Sequence, residues 1–167
     1  MFQRKNLRIL YDALGTLADS LPPSVLNKPQ YVQAMVPPLL LKWDQLGNLN
    51  RDLFPLLECL CCISNAVGTG FQPYAETVFN RCLAMIQQQL QIRNQGGEME
   101  KEFVVCAVDL MCAMVEGLGP SVEPLVANSN ARDIVLVLCA EPAHDIRQSA
   151  FELIGDLSKV KQKRKTN

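Results

Sequence analysis

The sequence predicts an all-α fold of stacked antiparallel helix pairs, and three observations carry that prediction. Apolar residues recur at helical spacing in about seven segments of the 167-residue chain, and nothing alternates in the manner of a strand. Short turns bearing Pro, Gly or Asn separate the segments. Alternate helices then repeat one another, position by position.

The first helix is expected over 4–20, where "LYDALGTLADS" sets leucines on one side. Asp12, Thr16 and Asp19, spaced i, i+4, i+7, share the other side with no basic residue among them. The next helix, 30–46, carries Pro37–Pro38, which should bend or break it. Asp52 with Pro55 reads as the start of a helix over 52–68. A fourth is expected over 71–92, followed by the longest loop, the polar and Gly-rich "RNQGGEMEK" of 93–101. A fifth over 102–118 ends at "GLGP", 117–120, read as a helix stop. Helices over 131–140 and 143–160 complete the set.

Stacking "DALGTLADS" (12–20), "ECLCCISNA" (58–66), "DLMCAMVEG" (109–117) and "ELIGDLSKV" (152–160) aligns three columns. Asp12, Glu58, Asp109 and Glu152 make an acidic column; Gly15, Cys61, Cys112 and Gly155 a small one; Leu17, Ile63, Met114 and Leu157 a large apolar one. The offsets are 46, 51 and 43 residues, close to the roughly 40–47 of HEAT and armadillo repeats. A helical hairpin with two faces to bury stacks on its neighbours and shares a continuous core. The expected architecture is therefore a right-handed superhelical solenoid fragment of the HEAT-repeat, armadillo-like kind, with an ordinary helical bundle as the alternative. It comprises a lone second helix at 4–20, then pairs at 30–68, 71–118 and 131–160, about three and a half repeats within 1–160. The segment "HDIRQSAFELIGDL" agrees. It resembles the second helix of a HEAT repeat, in which Asp145 and Arg147 occupy the positions of an inter-repeat hydrogen-bond ladder. Read without that likeness, the pair is a helix cap and a surface ion pair worth under about 1 kcal/mol.

Composition narrows the function classes. Hydrophobic residues are 49% and charged residues 20%, the balance of a globular chain. The N-terminal apolar stretch is broken by Asp12 and Asp19, so no signal peptide is expected, and "FVVCAVDLMCAMV" carries Asp109 at its middle, so no membrane span is. Seven cysteines sit in apolar helical contexts without a paired CxxC, and His144 is the single histidine. These read as buried thiols in a reducing compartment; neither a metal site nor a cofactor is expected. The net charge of −1 hides a split: five of the 16 basic residues lie in the last nine positions, leaving 11 basic against 17 acidic over 1–158. The tail, 161–167, is basic and expected to be disordered. "KVKQKRK", 159–165, reads as a solvated end, or as a phosphate-contacting run or nuclear address.

Catalytic motifs are missing: there is no GxSxG, P-loop, HExxH or dinucleotide fingerprint, and nothing in the sequence orients His144 toward a cysteine. An enzyme is not expected. What remains is the acidic column. In a superhelical array, equivalent positions on second helices line one surface, usually the concave one. Asp12, Glu58 and Asp109 would form a row, and Asp19 and Glu116 a second, with Thr16 between and Lys159 alone basic in either column. Such a wall suits a basic, extended peptide; the plainer reading is a solvated helix face.

"KNLRILYDALGTLADS", "LNKPQYVQAMVPPLLLKW", "DLFPLLECL" and "IRQSAFELIGDLSK" together resemble the transportin, or karyopherin-β2, family of importin-β-type nuclear import receptors. The likeness covers nearly all of 3–160, loops included, and the wording is similar to plant members. It implies a HEAT superhelix that shuttles between cytoplasm and nucleus through the nuclear pore. Such receptors carry cargo, RNA-binding proteins among it, by gripping a basic proline–tyrosine nuclear localisation signal on the acidic concave side of the C-terminal arch. Direct nucleic-acid and membrane contacts are not implied. By motif, the signal-contacting positions fall on Asp12, Thr16, Asp19 and Glu58, with Asp109 and Glu116 added by extension. The resemblance also implies that the Ran-binding repeats and the proline–tyrosine pocket lie outside this chain, and that Trp43 is structural. The alternative function is a HEAT-repeat scaffold that contacts a folded partner without reading a cargo signal.

Overall fold

The computed structural model describes residues 4–165, and among them there is no strand. Helix α1 spans Arg4–Ser20, α2 Pro23–Leu26, α3 Pro29–Leu46, α4 Leu53–Val67, α5 Gln72–Asn94, α6 Lys101–Leu118, α7 Glu123–Ala127, α8 Ala131–Cys139 and α9 His144–Lys165. Short 3₁₀ turns, Gly68–Phe71 and Gly119–Val122, follow α4 and α6. The seven long helices stand where periodicity placed them. The fold adds α2, α7 and the 3₁₀ turns, all too short to show a period.

The helices form two layers. Helices α1, α4, α6 and α9 lie side by side, each packed along the next, and α3, α5 and α8 back α4, α6 and α9 in turn. This is the all-α HEAT-type array that the columns predict. One apolar cluster runs through it, with Trp43, Leu56, Leu60, Phe71, Phe79, Phe103 and Leu110 fully buried. Two segments, Leu53–Asn94 and Lys101–Ala127, contain windows apolar enough by length and composition to cross a membrane. Hydropathy alone therefore does not exclude a span, contrary to the expectation above. Their central helices, α4 and α6, are apolar because each packs on neighbours at both sides and behind.

Two local features differ from expectation, the course of α3 and the end of α9; at Asp52 and in "GLGP" the expected start and stop hold and the structure adds detail. Helix α3 runs unbroken through Pro37 and Pro38. Those prolines deprive the carbonyls of Gln33 and Ala34 of partners, but all four residues are exposed, so water serves the carbonyls while Val32, Val36, Leu39 and Trp43 stay buried. Asp52 makes no side-chain cap bond; Asn50 Oδ1 accepts the Asp52 N–H at 2.9 Å and sets the turn. Gly117 lies inside α6, and the stop falls at Gly119, with φ 55°. Its counterpart, Gly68, has φ 56° after α4, and the two are separated by the same offset as Glu58 and Asp109. Only glycine adopts that conformation without strain. Finally, α9 continues to Lys165, so 161–165 are helical where a disordered tail was expected; 166–167 lie outside the described residues.

Polar ties link successive turns. Arg51 pairs with Glu100 at 2.8 Å, and Lys101 with Asp145 at 2.7 Å. Asp145 thus bridges to the preceding repeat. Arg147 instead closes its own turn, with Nη1 donating to the carbonyls of Glu141 (2.6 Å) and Pro142 (2.7 Å). Arg93 pairs with the buried Glu141, whose other oxygen, Oε2, has no hydrogen-bond partner. Buried Gln89 Oε1 accepts the Glu100 N–H at 2.9 Å and holds down the loop before α6.

Candidate functional site

The site is a face, built by helix repetition. Because α1, α4, α6 and α9 pack side by side, a position recurring in each comes to one surface of the row. Asp12, Thr16, Asp19, Glu58, Asp109 and Glu116 are all exposed. Between the acids lies a floor of thiols. The Cys59 thiol is pushed up to about 12, chiefly by burial, with Cys62 and Asp12 adding repulsion. Cys62 is raised by burial and by Asp19, to which it hydrogen-bonds, with Glu58 contributing. Cys106 rises to about 12 through burial, then Asp109 and Glu58. Cys112 is raised by burial, then by Asp156, Asp109, Glu152 and Glu116. These shared influences connect the acids of four helices into one field. They also favour the protonated form of the thiols.

Asp109 and Glu116 meet Glu152, Asp156 and Lys159 around a shallow cavity of about 450 Å³ between α6 and α9. The Asp109 carboxyl is raised by burial, eased by a hydrogen bond from Ser149, and raised again by Glu152. Asp12, Thr16, Asp19 and Glu58 lie outside that cavity, on the α1–α4 stretch of the face. Two predicted contact groups are partly committed already. Thr16 Oγ1 donates to the Asp12 carbonyl at 2.8 Å, so it can offer a ligand only an acceptor. Glu116 Oε2 accepts from Asn65 Nδ2 at 3.3 Å, a tie between α4 and α6.

The sequence reading overlooked Asp156, which sits in a column with Thr16, Cys62 and Ala113 and so shows no repeated charge. Lys159 pairs with Asp156 at 2.8 Å, and both Asp156 and Glu116 raise its ammonium above the usual lysine range. It is the internal counter-ion of that end of the face. Trp43 is far from any ligand role: it is fully buried, donates to Asn48 Oδ1 at 3.0 Å and stacks under Arg81 at 4.3 Å. Among the described residues, no group of three or more His, Cys, Asp or Glu side chains converges in a way that could hold a metal ion.

No family model matches the chain. Among curated proteins it is 51% identical over 163 residues to transportin-1 of Oryza sativa subsp. japonica, 44% over 166 to transportin-1 of Homo sapiens, and 33% over 167 to importin subunit beta-2 of Saccharomyces cerevisiae. These alignments cover 93–95% of the chain but 18% of each relative, so the chain spans under a fifth of the length of the proteins it matches. All are named for transport or import, and none for an enzymatic activity. With identities of 33–51% along nearly its whole length, the chain belongs, as one segment's worth of sequence, to the transportin (importin subunit beta-2) family.

Proposed function

We propose that the chain is part of a nuclear import receptor and that its acidic face holds the basic portion of a cargo's proline–tyrosine nuclear localisation signal. Asp12, Asp19, Glu58, Asp109 and Glu116 supply the negative wall, and Thr16 supplies an acceptor between Asp12 and Asp19. The observation that carries this reading is the lateral packing of α1, α4 and α6, which turns a repeated acidic position into one exposed face with no arginine or histidine in either column. An extended, Arg- and Lys-rich segment matches such a wall because it meets one carboxylate row over several helix spacings. The chain would then act by binding alone, shuttling between cytoplasm and nucleus, with Ran engaged by repeats beyond this chain. As one unit, the layout proposed is a repeat array over 1–160 followed by a basic end.

The test is a titration of the 167-residue chain with a fluorescent basic peptide carrying a proline–tyrosine signal. Affinity should fall steeply as salt rises through the range where the Debye length shrinks from about 10 to 3 Å. Replacing Asp12 and Asp19 together with Asn should weaken binding at least several-fold while leaving the fold intact. Salt-insensitive binding, or a double variant that binds as well as the parent, would remove the electrostatic mechanism.

A further inference from the structure

Helix α9 departs from the repeat at two neighbouring positions of the acidic face. Where α1, α4 and α6 carry Thr16, Cys62 and Ala113, it carries Asp156; where they carry Asp19, Asn65 and Glu116, it carries Lys159. An extra acid and the one base of either column therefore arrive together. Asp19, Asn65 and Glu116 are all exposed, although α4 and α6 have neighbours on both sides, so the exposure of Lys159 belongs to the position and not to the end of the row. The pair is lopsided. The Asp156 side chain is 12% exposed and lines the cavity between α6 and α9, whereas Lys159 is 71% exposed and reaches back to it at 2.8 Å. An ion pair three residues apart on a wet helix surface is weak, so this carboxylate is fixed while its cation is replaceable. The ammonium is drawn as well by Glu116 on the facing helix. Four carboxylates, Asp109, Glu116, Glu152 and Asp156, thus line the cavity with one internal cation.

We propose that Lys159 is a built-in competitor of the basic ligand: its ammonium occupies the α6–α9 end of the face and is displaced when an incoming Lys or Arg side chain takes those carboxylates. The inference rests on the acidic face being a basic-peptide site, and it adds the residue that limits how tightly the site holds. Tethered one turn from Asp156, the Lys159 ammonium acts at high effective concentration and returns whenever a ligand's cation lifts off. Affinity is thereby lowered while the acids that attract the ligand stay in place. The competition is the same for a guanidinium and for an ammonium, so removing Lys159 strengthens the binding of both.

The test is a fluorescence titration of the 167-residue chain with two peptides carrying a proline–tyrosine signal, one with an Arg-rich and one with a Lys-rich basic part. Lys159→Met and Lys159→Gln, checked by far-UV circular dichroism, should each bind both peptides about two- to five-fold more tightly than the parent. That advantage should shrink as salt rises. Lys159→Arg, which keeps the charge, should show no tightening. Lys28→Met makes the same change in net charge at an exposed position before α3, in the back layer, and should also bind as the parent does. A parent that binds both peptides while the neutral Lys159 variants bind no better overturns the competitor and leaves the acidic face standing as a peptide site. So does a Lys28→Met variant that tightens as much, which would reduce the effect to net charge. Weaker binding by the neutral variants overturns it in favour of Lys159 holding Asp156 in place. Failure of parent and variants alike to bind either peptide overturns the competitor together with the reading of the face.

Discussion

Helices α1 and α4 carry the same sequence pattern and live in different surroundings. Leu17 of α1 is 47% exposed, whereas its counterpart Ile63 in α4 is fully buried. A large aliphatic side chain at the same repeat position is core in one helix and surface in the other, because only α4 has neighbours on both sides and a helix behind it. Burial in this fold is conferred by the adjoining helix, which is the nearest-neighbour logic of a solenoid. Stability should therefore be concentrated around α4–α6 and fall toward α1.

Truncating large core side chains should expose that gradient most sharply. Leu60→Ala, at a fully buried position in α4, should cost about 2–5 kcal/mol in urea denaturation. Leu17→Ala in α1 should cost less than about 0.5 kcal/mol. A reversal of that order would break the comparison.

The buried ion pair comes next. Arg93→Ala strands the Glu141 carboxylate, which is 3% exposed, so the loss should approach the roughly 3–5 kcal/mol of a broken buried pair, lowered by the partial exposure of Arg93. Changing both residues to Leu should recover most of it. Removing the exposed Lys159, by contrast, should leave the melting temperature unchanged.

Helix approach gives a smaller contrast. A Cβ on Gly117 would lie 2.4 Å from the Ser64 carbonyl oxygen, a backbone atom of α4 that has little room to yield. Gly117→Ala should cost about 1–3 kcal/mol. Gly155→Ala enters open space and should gain up to about 1 kcal/mol of helix propensity.

The smallest effect concerns Asp109. Its carboxyl is raised, first by burial, so the fold favours the protonated form over the unfolded chain. Ionising it therefore opposes folding as pH rises past the ordinary carboxylate range. Asp109→Asn should raise neutral-pH stability by no more than about 0.5 kcal/mol, a gain that fades below that range, where both states are protonated. Matched melts at neutral and acidic pH would show whether the two values converge.

The long helices were legible because a buried stripe of side chains at helical spacing runs visibly along each. The acidic column was legible for the same reason, as Asp12, Glu58 and Asp109 recur at one repeat position. What the sequence concealed depends on distance or on a single atom. Arg93 and Glu141 are 48 residues apart, and nothing local marks them as partners. The Thr16 hydroxyl bends to its own helix, a choice of rotamer that no spacing reveals. Gly117 is legible only as part of the "GLGP" stop; that it admits the α4 backbone is visible only once two helices have crossed. The continuation of α3 past two prolines turned on which carbonyls face water, a question of orientation and not of propensity.

The twin glycines after α4 and α6 deserve a last consideration as joints. Gly68 and Gly119 turn the chain through nearly the same pair of angles, φ 56° and 55° with ψ −127° and −131°. Two joints cut alike give the chain the same bend after each of those helices. That bend is then a backbone property, lodged in a few residues. Side chains on the neighbouring helices can change without altering it, so surface charge and backbone course are free to vary independently.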